Sequence, residues 1–150
     1  MKRTITLYYF LFVFAVLSAQ TTPGEYTIKN LDINTKESDF GAAFYGKDRI
    51  VFAAPSDEVK IIRKTWKENG QAFLDLYTGI ITEDRQVIDK KPLPGDVNSK
   101  FHEGGVVFSK DQNTVYFTAN NYFQKEFLTD SAGINMLQVF KASKDINGNW

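Results

Sequence analysis

The chain contains one histidine, His102, and it stands directly before Glu103. An imidazole beside a carboxylate is the pairing that general acid–base catalysis or metal ligation draws on. One imidazole without further clustered ligands does not make a metal site, so His102 is expected to be a loop-end side chain with local hydrogen bonds. Glu103 has a counterpart in Asp39, 64 residues earlier (103 − 39). An acid that returns at the same place in two units is expected to accept backbone N–H bonds in a turn, rather than bind calcium or perform chemistry twice. Lys60, Arg63, Lys64 and Lys67 surround Trp66 and read as a solvated hairpin face over a buried ring, with a binding lip as the functional alternative. No Gly-rich phosphate loop, Gly-x-Ser-x-Gly or His-Glu-x-x-His occurs. No catalytic, cofactor-binding or metal-ligating residue is therefore assigned, no cofactor is expected, and the chain is not expected to be an enzyme.

The spacing of the two acids belongs to a longer duplication. Asp32-Ile33-Asn34-Thr35-Lys36, followed by Asp39, Gly41 and Phe44, returns as Asp96-Val97-Asn98-Ser99-Lys100, followed by Glu103, Gly105 and Phe108. Further on, Ile50 to Ala54 aligns with Val115 to Ala119 at a displacement of 65 (115 − 50), and Leu74 to Tyr77 with Leu137 to Phe140 at 63 (137 − 74). A fixed-period duplication of this detail predicts stacked structural units.

Each unit reads as β-structure: short segments of alternating pattern, rich in β-branched and aromatic residues and separated by turn formers. Phe, Tyr and Trp make up 15% of the chain, which suits a β-rich core. Gly46 to Arg49 and Lys110 to Asn113 predict hairpin turns between the first two strands. Asn69-Gly70 predicts a further hairpin, with a long second strand doubling back into the third. The equivalent stretch of the second copy, Asn120 to Asn135, is expected to be a looser surface loop. A fourth strand is expected near Gln86-Val87-Ile88. Trp150 falls opposite Val87 (150 − 87 = 63), and the chain reads as the N-terminal fragment of a longer protein.

Residues 1–19 have a different character. Lys2 and Arg3, the apolar run Leu7 to Leu17 and the small residues Ser18-Ala19 before Gln20 predict a secretory signal peptide, since the run falls short of the roughly 20 apolar residues of a membrane span. The chain has no cysteine, hence no disulfide and no lipid-bearing thiol. Basic and acidic residues balance at 18 each, and loss of Lys2 and Arg3 leaves 16 against 18. That balance gives no basic patch for nucleic acid.

Groups of four short antiparallel strands, repeated, suit a β-propeller; a β-sandwich built by duplication is the alternative. We therefore expect residues 20–150 to be an all-β, incomplete propeller of about two four-stranded blades, with Tyr26-Thr27-Ile28 available as a ring-closing strand. The segment from Gly105-Val106-Val107-Phe108-Ser109-Lys110-Asp111 to Phe117-Thr118 resembles the WD40-like, TolB-type propeller repeat of bacterial envelope proteins, in which an apolar segment ending Phe-Ser-x-Asp-Gly precedes an aromatic-rich strand. Gln112-Asn113 departs from the Asp-Gly of that pattern, and the first copy keeps only Asp48 of it. Together with the leader, Tyr26 to Asn30, Asp39-Phe40-Gly41 and Phe101 to Gly104, the chain resembles the N-terminal part of OmpA-family outer-membrane proteins. Ser109-x-Asp111-x-Asn113 with Tyr116 also resembles the Asp-box of sialidases, itself a structural turn.

The resemblance implies a scaffold in the periplasm or at the outer membrane, with envelope proteins or glycans as partners of the propeller surface. Peptidoglycan binding and membrane association would belong to a parent protein with a C-terminal domain absent here. A propeller from an exported hydrolase, gating a serine peptidase or carrying a glycosidase-type site, is the competing expectation.

Overall fold

The computed structural model describes residues 24–57 and 65–150. The expected signal peptide and Lys60, Arg63 and Lys64 lie outside the described residues. Within them the fold is all-β, with nine strands and no helix.

The first unit is a four-stranded antiparallel meander of β1 (Phe40–Tyr45), β2 (Arg49–Pro55), β3 (Leu74–Ile81) and β4 (Val87–Pro92), paired in that order. The second is a three-stranded sheet of β5 (Glu103–Phe108), β6 (Thr114–Asn120) and β9 (Leu137–Ser143). The duplication holds at the level of register. Phe40 faces Ala53 and Gly104 faces Thr118; Ala43 faces Val51 and Val107 faces Tyr116; Ala53 faces Leu76 and Thr118 faces Val139. Displacements of 64, 65 and 63 thus map one sheet's pairings onto the other's. The bulge repeats too: β1 slips register between Phe40 and Ala43, β5 between Gly104 and Val106, and Gly41 and Gly105 both adopt positive φ there.

Cross-strand partners share a sheet face. Ala43, Val51, Ala53 and Leu76 lie on one face of the first sheet, and their core cluster includes Val106, Val115, Phe117 and Ala119 from one face of the second. The two sheets therefore stack face to face, the back of the first on the front of the second. Val51, Ala53, Leu76 and Val115 are each 0% exposed. Trp150 packs edge-on to Tyr45 and tilted against Phe108, and its backbone bonds to Pro94 O (3.0 Å) and Asp96 N (2.9 Å). Gly95, at φ 109°, leaves the space for that strand-like crossing, because a Cβ there would lie 2.0 Å from the Trp150 carbonyl oxygen.

Several elements differ from expectation. The second strand does not run on toward Asn69-Gly70: Pro55, which has no N–H to give, closes β2 opposite Leu74, and Ser56 N–H donates to Phe73 O (2.8 Å). The Asn69-Gly70 turn is present, tied among the described residues by a bridge between Thr65 and Ala72. The corresponding stretch of the second unit is more ordered than a loose loop, forming the small hairpin β7 (Tyr122–Phe123) and β8 (Glu126–Phe127). Gln124 and Lys125 both take positive φ between them, the geometry that two-residue hairpins favour. Tyr26-Thr27-Ile28 forms no strand, and Tyr26 and Ile28 project into solvent without an edge to pair with among the described residues.

Candidate functional site

Asp39 and Glu103 close matching turns before β1 and β5. Asp39 Oδ2 accepts the Thr35 N–H (2.7 Å) and hydroxyl (3.0 Å), and the Thr35 oxygen in turn accepts Glu37 N–H. In the second unit Glu103 Oε1 accepts the Ser99 hydroxyl (2.5 Å), while the Ser99 oxygen accepts Phe101 N–H. Both acids thus cap a turn of the same construction, and each leaves its other oxygen, Asp39 Oδ1 and Glu103 Oε2, buried without a hydrogen-bond partner.

Burial separates the two. Asp39 is half-buried, whereas Glu103 is 1% exposed. Desolvation pushes the Glu103 carboxyl up to about 8; the Ser99 hydrogen bonds oppose this and the Asp75 charge adds to it. Glu103 lines a cavity of about 340 Å³ together with Val97, Ser99, Phe117, Phe140 and Trp150. A smaller cavity of about 130 Å³ in the first unit is lined by the equivalent Ile33, Asp39, Phe52 and Val87.

His102 points away from Glu103, as neighbours on an extended segment do. Its Nδ1 accepts the Leu74 N–H (3.2 Å), which fixes the neutral tautomer with hydrogen on Nε2, and burial lowers the imidazole pKa. The ring meets Phe73 at 4.7 Å and Trp66 at 5.2 Å, both edge to face. Phe101 extends this group to Phe73, Tyr122 and Phe127. The aromatic group joins the β2–β3 excursion of one unit to the β7–β8 hairpin of the other. Trp66 is not the buried ring expected: it is 37% exposed, since its ring meets His102 only edge to face. Lys67 is exposed beside it.

Ser109, Asp111 and Asn113 form a turn and nothing more elaborate. Asp111 Oδ1 accepts the Ser109 hydroxyl (2.6 Å) and Asn113 N–H (3.2 Å), and Ser109 Oγ accepts Thr114 N–H (3.1 Å). Gln112 takes positive φ in place of a glycine, and its side-chain oxygen accepts Gly46 N–H (2.7 Å) from the equivalent turn of the first unit.

Three contributors escaped sequence reasoning. Asn98 accepts Leu76 N–H (2.7 Å) and donates to Leu76 O (3.0 Å), so one amide spans both backbone groups of a core residue in the other unit. Tyr77 O–H donates to Asp57 Oδ1 (2.6 Å), and Lys90 lies 3.4 Å from Asp57 Oδ2. Burial works to raise the Asp57 carboxyl, but Tyr77 and Lys90 together bring it below its ordinary value. The third is Trp150 as a cavity wall. An amide or phenol whose partner is 20 or 22 residues away has no local pattern; Trp150 alone was traceable, through its alignment with Val87.

No group of three or more His, Asp or Glu among the described residues could hold a metal ion. No known protein family, curated protein or solved structure matches the chain.

Proposed function

We propose that the chain is part of a non-enzymatic β-propeller interaction module from an exported cell-envelope protein. One observation carries the propeller reading. The back face of the second sheet presents Val107, Tyr116 and Val139 to solvent, in the register positions that the first sheet, with Ala43, Val51 and Leu76, uses to receive its neighbour. Val51 and Leu76 are 0% exposed, while their counterparts Tyr116 and Val139 are 39% and 71% exposed. A further sheet with a front face like that of the second unit fits this surface, and serial stacking of such sheets is how a propeller is built. Exposed apolar surface of this kind marks an interface.

The export reading rests on the leader at residues 1–19. Envelope proteins or glycans are the partners that suit the aromatic-rich end, and peptidoglycan contact would come from another domain of a longer parent. The absence of cysteine makes thiol labelling a clean test of the propeller. Val139→Cys, placed in the protein as its native cells make it, is expected to resist a water-soluble maleimide as strongly as Leu76→Cys does. Free labelling at position 139 would overturn the propeller reading. For export, a C-terminal phosphatase fusion that is active outside the cytoplasm and begins near Gln20 is expected, and an inactive fusion retaining Met1 would refute it.

A further inference from the structure

We propose that a second copy of this chain docks on the uncovered back of the second sheet, offering its own first sheet in the register that the two sheets of one chain already use. The assignment rests on the stacking of the two sheets and stands whether or not the chain is exported or forms part of a propeller.

The devices by which the second unit grips the first have counterparts in the first unit, and there they stand empty. Val97, Val106, Val115, Phe117 and Trp150 belong to the core into which Val51, Ala53 and Leu76 pack. Their counterparts Ile33, Ala42, Ile50, Phe52 and Val87 line the cavity of about 130 Å³ at the front of the first sheet. Asn98 spans the N–H and C=O of Leu76, whereas its counterpart Asn34 is exposed and its amide has no partner among the described residues. Leu93 N–H also donates to Leu76 O (2.8 Å). Carried back from Asp32 and Asp96, the displacement of 64 matches Leu93 with Lys29 and Lys91 with Thr27. These belong to the segment that forms no strand, where Tyr26 and Ile28 are 89% and 95% exposed.

The receiving side is built to the same plan. Ile81 N–H donates to Asp48 O in the first sheet and Lys144 N–H to Asn113 O in the second, so the two ladders run in the same phase. Thr118 faces Val139 as Ala53 faces Leu76, and Val139 therefore turns its N–H and C=O away from β6, onto the outer edge of β9. Among the described residues β9 pairs with β6 alone, whereas β3 has β4 on that side. An open edge beside an apolar face takes up an added strand and a packed sheet together. The second copy supplies both: its Asn34 amide on the Val139 backbone, its Lys29 N–H on Val139 O, and its Thr27 opposite Lys141 as Lys91 is opposite Thr78. Within one chain these parts are held apart, because Ile33 packs on the front of the first sheet and Val139 stands on the back of the second.

The chain has no cysteine, so an engineered pair reads this register directly. Thr27→Cys with Lys141→Cys is expected to form an interchain disulfide on mild oxidation, since facing residues of antiparallel strands lie about 5.5 Å apart. Thr27→Cys with Gln138→Cys, roughly 10 Å out of register, is expected to stay unlinked. In sedimentation the wild-type chain is expected to run as a monomer at dilution and to gain mass with concentration. Asn34→Ala should weaken that association about tenfold, and Val139→Asp should abolish it. Both side chains are exposed in the single chain, so far-UV spectra should match the wild type. The proposal is overturned if the Thr27 and Lys141 pair links within one chain or not at all, or if the Gln138 pair links as readily. It is equally overturned if Asn34→Ala or Val139→Asp associates as tightly as the wild type. A further sheet of a longer polypeptide would shield Val139 yet leave the chains unlinked, and that result counts against the second copy.

Discussion

Gly41 and Gly105, equivalent residues of the two units, stand back to back: a Cβ built on Gly41 would lie 2.9 Å from the Gly105 backbone nitrogen. Both hold φ in the left-handed region, at 67° and 50°. The two sheets therefore approach each other at their bulges, backbone against backbone. Gly41→Ala meets both a strained φ and a clash with main chain, and is expected to cost about 1–3 kcal/mol. Gly46→Ala shares the positive φ but meets nothing within 4 Å. Urea midpoints of the two variants should differ in that order, and equal midpoints would refute the close approach.

Glu103 predicts an unusual pH dependence. Its folded-state pKa, about 8, lies above the ordinary 4.5, so the folded chain holds a proton that the unfolded chain has lost between those values. Stability is therefore expected to fall as pH rises from about 4.5 to about 8, at up to about 1.4 kcal/mol per unit, and to level off above. Glu103→Gln should flatten this slope. Denaturation at pH 5, 6.5 and 8 measures it, and a wild-type slope of opposite sign would exclude the buried neutral carboxyl.

Leu76 and Val139 occupy the same register position in their sheets, yet one is fully buried and the other 71% exposed. In the chain of 150 residues, Leu76→Ala is expected to cost about 2–5 kcal/mol. Val139→Ala should change stability by no more than about 0.5 kcal/mol. Thermal unfolding of both variants is the measurement.

Asn98 offers a third contrast. Removing its amide with Asn98→Ala leaves the Leu76 N–H short of one acceptor and is expected to cost about 1–3 kcal/mol. Asn34→Ala, at the equivalent but exposed position, should be close to neutral. Comparable losses at the two sites would show that the amide does not bridge the units.

The sheets were legible in the sequence because alternation and turn chemistry are local. The displacements of 64, 65 and 63 carry one sheet's cross-strand pairings onto the other's, since a duplicated sequence repeats its registers along with its side chains. Asp39 and Glu103 were readable as turn caps for the same reason: their partners Thr35 and Ser99 lie four residues away. The β7–β8 hairpin was not, because Gln124-Lys125 carries none of the Gly or Asn that usually accompanies two positive φ values. Nor was the cavity, which depends on how deeply one sheet settles on the other. Sequence period fixes which residues meet, whereas burial of Glu103 beyond that of Asp39 depends on the neighbour each unit receives.

The stacking joins two unlike faces, the back of one sheet and the front of the next. A contact of that kind is heterologous, so it has a direction and no twofold partner. Copies of the chain that met through the uncovered back face would each expose the same surface again at the far end. Association in trans would then propagate into rings or filaments rather than stop at a dimer. Light scattering that grows with concentration without a plateau at twice the chain mass is the expected mark of this polarity.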